Sequence, residues 1–101
     1  MSICTLTARR LKAGAYDDFR AAWDPGDAPE ELVKHWSPVY HCRDVNDENV
    51  VVSFGFFQGS LDELRSVQEE FGRDDQVSAV DPHVEEVLFD GAFEVVEELT
   101  P

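Results

Sequence analysis

The run Val50-Val51-Val52-Ser53-Phe54-Gly55-Phe56-Phe57 constrains this chain more than any other segment. It carries no charge and no proline, and it is rich in β-branched and aromatic residues, so it reads as a strand. Side chains alternate along a strand. Val50, Val52, Phe54 and Phe56 therefore share one face, and Val51, Ser53, Gly55 and Phe57 share the other. Both faces look apolar enough to be buried. A sheet built around this strand has to be covered on two sides. A chain of 101 residues has to achieve that within one domain, residues 1–101.

The flanking sequence supplies the partners. Ile3 to Arg10 alternates, with Cys4, Leu6 and Ala8 on one side and Ile3, Thr5, Thr7 and Arg9 on the other, which predicts a first strand. Tyr16, Phe19 and Trp23 make one helical stripe, with Asp17 and Asp18 in the first turn where the dipole favours acids. Asp24-Pro25-Gly26-Asp27 stops that helix, and Ala28 to Val33 has room for a short helical turn. Trp36 to Arg43 reads as a second strand with Trp36, Pro38, Tyr40 and Cys42 facing one way. Pro38 cannot donate to a ladder, so this strand lies at an edge or begins late. The polar turn from Asp44 to Asn49 makes strands two and three an antiparallel hairpin.

Ser60-Leu61-Asp62-Glu63 is a capping box, opening a helix with Leu61, Leu64, Val67 and Phe71 on its apolar face. Gly72-Arg73-Asp74-Asp75 ends it. Asp81-Pro82 is expected to open a third helix with a stripe of Val84, Val87 and Leu88 and Gly91 as its C′ glycine. Ala92 to Leu99 then supplies the fourth strand. This order is the ferredoxin-like βαββαβ unit, an α+β fold with a four-stranded antiparallel sheet and helices on one face. The face carrying Val51 and Phe57 is expected to be the uncovered one and too apolar to leave wet. Two such faces packed together in a homodimer solve the problem.

Charge narrows the partners. Eight basic residues stand against 22 acidic ones, a formal net charge of −14. Residues 1–43 balance, with six of each sign, so the whole excess lies from Asp44 onward. Such a surface repels phosphate, which argues against nucleic acid and anionic membranes as partners. The acids either form a solvated face or rim a cation site; the cluster Asp44, Asp47, Glu48 lacks the spacing and the glycine of a calcium loop. The N-terminus has no secretory pattern and no apolar run approaches a membrane span, so a cytoplasmic protein is expected. Cys4 and Cys42 are read as small buried residues, and no zinc spacing links the cysteines and histidines.

The element order, the Val50–Phe57 strand and the run Asp81-Pro82-His83-Val84-Glu85-Glu86-Val87-Leu88-Phe89-Asp90-Gly91-Ala92-Phe93-Glu94-Val95-Val96 resemble the dimeric α+β barrel superfamily, in its antibiotic-biosynthesis-monooxygenase-like branch. The resemblance implies a homodimer joined through sheet faces and a pocket between sheet and helices. It also implies a small aromatic or polyketide-like ligand, with cofactor-free oxygenation as the activity. The haem-degrading branch would place an Asn in the first strand. Ile3 to Arg10 has none, so no cofactor is expected. Fold kinship alone does not establish a reaction, and a non-catalytic dimeric binding or accessory domain is the alternative.

A cofactor-free oxygenase needs a group to take a phenolic proton and aromatic walls to bury rings. His41, Tyr40 and His83 are the candidate catalytic residues, and Trp36 and Phe54 the candidate substrate-binding ones. Alternation sets Trp36 and Tyr40 on one face of strand two and His41 on the other, while His35 at the strand start is expected to be solvated. His83 sits at a helix start, where the dipole favours the neutral imidazole. Ser53 and Gly55 either leave room for a ligand or allow close packing. Arg9 and Arg10 either meet acids locally or face a substrate carboxylate, with ion pairing the default. No phosphate loop, metalloprotease helix or nucleophile elbow is present.

Overall fold

Strand β3, Val50–Gln58, lies inside the sheet and pairs on both sides. The structure, a computed structural model, describes residues 1–23 and 34–101. Around β3 run β1 (Ser2–Leu11), β2 (Tyr40–Arg43) and β4 (Val84–Glu94) in the order β2-β3-β1-β4, all neighbours antiparallel. Helices α1 (Tyr16–Trp23), α2 (Leu61–Glu70) and α3 (Arg73–Val80) complete an α+β fold of ferredoxin-like order. The stop at Asp24-Pro25-Gly26-Asp27 and the helical turn expected at Ala28 to Val33 lie outside the described residues.

Local sequence explains most of these boundaries. Ser60 caps α2: its hydroxyl accepts from the Glu63 N–H at 3.1 Å, and the Glu63 carboxylate accepts from the Ser60 N–H at 3.1 Å. The β2–β3 hairpin turn is held by Asp44 accepting from the Asn46 N–H at 2.7 Å and Asp47 from the Asn49 N–H at 3.0 Å. β2 is an edge strand and begins late, at Tyr40, just past Pro38.

The second half of the chain departs from expectation. Gly72 does end α2, at φ +69°, but a further helix, α3, starts immediately behind it. The helix expected from Asp81 is only a short 3₁₀ turn, Asp81–His83, and β4 begins at Val84. The misleading signal has a physical source. β4 pairs Val84 with Leu11, Glu86 with Arg10, Val87 with Arg9 and Phe89 with Ala8, so it carries one extra residue at Glu85 and another at Leu88. Each bulge adds one to the strand period, and apolar residues at 84, 87 and 88 then mimic helical spacing. Gly91 is therefore no helix cap. A Cβ there would lie 2.9 Å from the Phe93 ring and 3.4 Å from that of Phe89, two rings that stack at 5.5 Å.

The two sheet faces are also the reverse of the expectation. Val51 and Phe57 are almost fully buried beneath the helices. The open face carries Cys4, Leu6 and Ala8 from β1, Val52, Phe54 and Phe56 from β3, Tyr40 and Cys42 from β2, and Phe89 and Phe93 from β4. Cys42 is exposed there rather than buried, and Cys4 is half-buried. Alternation alone separates the two sets of residues, and only the helix positions decide which set is covered.

Beneath the helices the apolar core is split. One cluster, Ile3, Phe57, Leu64 and Val67, gathers at one end with Trp36, Phe71 and Ala92 against it. The other, Leu11, Phe19, Val51 and Val80, lies at the opposite end with Trp23 among its neighbours. Between them the sheet presents small and polar residues in two rows: Thr5 beside Gly55 and Ala92, and Thr7 beside Ser53 and Asp90, with His41 opposite Ser53.

Candidate functional site

The polar belt between the two core clusters carries the two buried side-chain nitrogens that lack partners among the described residues. His41 leaves edge strand β2 toward the helices, and its Nδ1 lies 2.7 Å from the Ser53 hydroxyl. Its ring packs edge-on against Trp23, centroids 4.6 Å apart, and against Phe19 at 5.5 Å. Burial, helped by Arg20 and Arg9 nearby, lowers its pKa from the usual 6.5. The imidazole is therefore neutral at pH 7. Its second nitrogen, Nε2, is buried and has no hydrogen-bond partner among the described residues. With Nδ1–H donating to Ser53, Nε2 is a free base; with Ser53 donating to Nδ1, Nε2–H is a free donor.

Arg9 lies on the same face of β1. It is only 7% exposed, and its Nη1 is the other buried side-chain nitrogen or oxygen without a partner among the described residues. Its guanidinium lies over the Phe19 ring, 5.5 Å from the centroid. Burial lowers its pKa, opposed by Asp90. The neighbouring groups are already paired with each other. Asp90 accepts both contacts of Arg73, at 2.9 and 3.2 Å, and takes the Thr7 hydroxyl at 3.1 Å. Arg10, pointing to the open face, follows the default and pairs with Glu86 at 2.9 Å. An unsatisfied buried polar group costs about 1–3 kcal/mol.

The expected site residues do not come together. His41 and Trp36 lie on the helix side of the sheet, whereas Tyr40 and Phe54 stack on one another across the open face, centroids 5.4 Å apart. Trp36 and Tyr40 thus do not share a face. The reason is a slip in pairing: Trp36 bridges Phe57, but Tyr40 pairs with Phe54, so four steps along one segment match three along β3. One extra residue turns Trp36 over. Trp36 packs on Phe57 at 5.1 Å. His83 sits in the 3₁₀ turn near the Leu11 end of the sheet, with its carbonyl accepting from the Lys12 N–H at 3.0 Å. His35 is half-buried, its ring 5.6 Å from that of Phe57.

Gly55 uses its missing side chain for close packing. A Cβ there would meet Val39 Cγ2 at 3.1 Å and the Pro38 carbonyl at 3.6 Å, so the irregular segment before β2 lies directly on it. Two open clefts lie elsewhere, one of about 470 Å³ around Arg65, Gly72 and Arg73 and one of about 270 Å³ around Tyr16, Arg43 and Asn49. Sequence reading missed Trp23 as a wall for His41, and for Arg9 it made ion pairing the default with a substrate carboxylate as the alternative. The alternation of β1, which sets Arg9 beside Ile3 and Thr7, was the available signal for the second. Among the described residues no cluster of three or more His, Cys, Asp or Glu is arranged to hold a metal, and no helix is long and apolar enough to cross a membrane.

Solved structures share this strand order and helix placement over nearly the whole chain. Rv0793 from Mycobacterium tuberculosis superposes with a TM-score of 0.76 at 11% identity, covering 99% of this chain and 100% of that one. SnoaB, a cofactor-independent oxygenase from Streptomyces nogalater, gives 0.71 at 12% identity, covering 99% and 98%. A Chloroflexus aurantiacus protein provisionally named an antibiotic biosynthesis monooxygenase gives 0.73 at 10%, covering 99% and 98%. No family model matches the sequence, and no curated protein matches it. At these identities the likeness is one of fold.

Proposed function

We propose that this protein is a cytoplasmic, cofactor-independent monooxygenase acting on an aromatic or polyketide-like small molecule in the belt around His41. The observation that carries this reading is the half-buried, neutral His41, whose buried Nε2 has no partner among the described residues and lies beside Trp23. The fold it shares with SnoaB supports it. In the tautomer in which Nδ1–H donates to Ser53, Nε2 is free to accept a phenol or enol proton, and this is the tautomer the reaction uses. The deprotonated ring is electron-rich enough to react with dioxygen at carbon. For a ring methylene, one oxygen atom ends as a carbonyl and the other as water, the substrate supplying all the electrons. Trp23 and Trp36 are the aromatic walls.

The open face, with Leu6, Tyr40, Val52, Phe54, Phe56, Phe89 and Phe93, is proposed as the homodimer contact. Tyr40 and Phe54 belong to that contact in this reading and not to the site. The experiment is oxygen uptake by the purified chain with hydroxylated polycyclic aromatics, in chelator and without added flavin. Uptake matched by product supports the enzyme. Tight ligand binding with no uptake supports the non-catalytic binding domain instead.

A further inference from the structure

Resting on the site just proposed, we infer that the substrate is an aromatic acid, its ionised carboxylate held by the buried guanidinium of Arg9 while its acidic hydroxyl meets His41. Arg9 and His41 come from β1 and β2, the two strands flanking β3, and both point to the helix side. The strands that carry them are about 10 Å apart, and the two side chains close that gap by touching the same Phe19 ring. Arg9 is only 7% exposed, yet among the described residues it makes no ion pair and leaves Nη1 without an acceptor. A buried charge is normally paired with an anion.

Asp90, the acid that acts most strongly on Arg9, does not fill that role. Asp90 gives its oxygens to Arg73 and Thr7, and Arg73 neutralises it. The belt therefore offers a cation facing a gap in its hydrogen bonding rather than a completed pair. A carboxylate matches the donor geometry of a guanidinium, and a neutral amide of the same shape does not match its charge. The two unpartnered nitrogens thus specify two groups on one ligand, an anion and an acidic hydroxyl, separated by an aromatic body that lies against Phe19.

Titration calorimetry with the full chain tests this, using 2-naphthoate and the neutral 2-naphthamide as probes. The expected result is naphthoate binding at least about tenfold tighter than naphthamide. Arg9→Met abolishes the preference and Arg9→Lys keeps part of it. Should Arg9→Met fail to fold, the wild-type preference and its partial retention in Arg9→Lys decide the matter. Equal binding of the two probes, no binding of naphthoate, or an unchanged preference in Arg9→Met overturns the inference. The outcome is separable from the oxygenase reading. An Arg9-dependent preference in a protein with no oxygen uptake keeps the carboxylate site and removes the reaction.

Discussion

His41 and Ser53 face each other across the β2–β3 ladder with the imidazole Nδ1 2.7 Å from the serine hydroxyl. Ser53 is itself buried, so this contact satisfies a hydroxyl that is shielded from water. Ser53→Ala leaves both ring nitrogens of His41 without partners. The expected loss is about 1–3 kcal/mol in a urea titration. Turnover falls as well, because Ser53 no longer accepts from Nδ1–H in the tautomer the reaction uses. Ser53→Ala with unchanged stability would contradict the placement of this hydrogen bond.

Burial, then Arg20 and Arg9, hold the His41 pKa below 6.5. Below pH 6.5 the unfolded chain binds a proton that the folded one resists. The stabilising effect is thus fully present above the unfolded value and is lost as pH falls toward and through the folded value. Urea midpoints measured between about pH 7.5 and about pH 5.5 should fall toward the acid end. His41→Gln should flatten that slope. Glu63, held below its usual 4.5 by the Ser60 backbone and side chain, adds a separate loss at more acid pH.

Phe54 and Tyr40 stack in the middle of an uncovered apolar face. Phe54→Glu places a charge there without touching the core clusters. Light scattering should find a dimer for the parent and a monomer for the variant, with unchanged circular dichroism. Two chains carrying −14 each repel, so added salt should leave the dimer intact or tighten it. A dimer that dissociates in salt would mean that charge, not the sheet face, joins the protomers.

Gly72 joins α2 to α3 at φ +69°, a conformation that side chains disfavour. Gly72→Ala should cost about 1–3 kcal/mol. Gly91 has no such φ, and its replacement by Ala should act through the Phe89–Phe93 stack. Chemical denaturation of both variants, with near-ultraviolet circular dichroism for the aromatic stack, separates the two causes.

What the sequence revealed, and what it hid, follows from where local rules held. β1, α1, the α2 capping box and β3 obey one period from end to end, and each is legible as written. β4 breaks its period twice at Glu85 and Leu88, so its apolar residues imitate a helix. The segment before β2 breaks its pairing once, which sends Trp36 to the helix side and Tyr40 to the other. In the candidate site, His41 was legible because regular alternation in β2 places it opposite Tyr40. The isolation of Arg9 was not, because it depends on Asp90 being taken by Arg73 from α3, a helix the sequence reading did not place.

The central claim is that proton transfer occurs at His41 on the helix side of the sheet. Oxygen uptake with a hydroxylated polycyclic aromatic acid, compared between His41→Gln and Tyr40→Phe, tests it most directly. A loss of about 10²–10⁴ in kcat for His41→Gln with near-parental turnover for Tyr40→Phe is the predicted result. Parental turnover in His41→Gln, or a comparable loss in Tyr40→Phe, would contradict it.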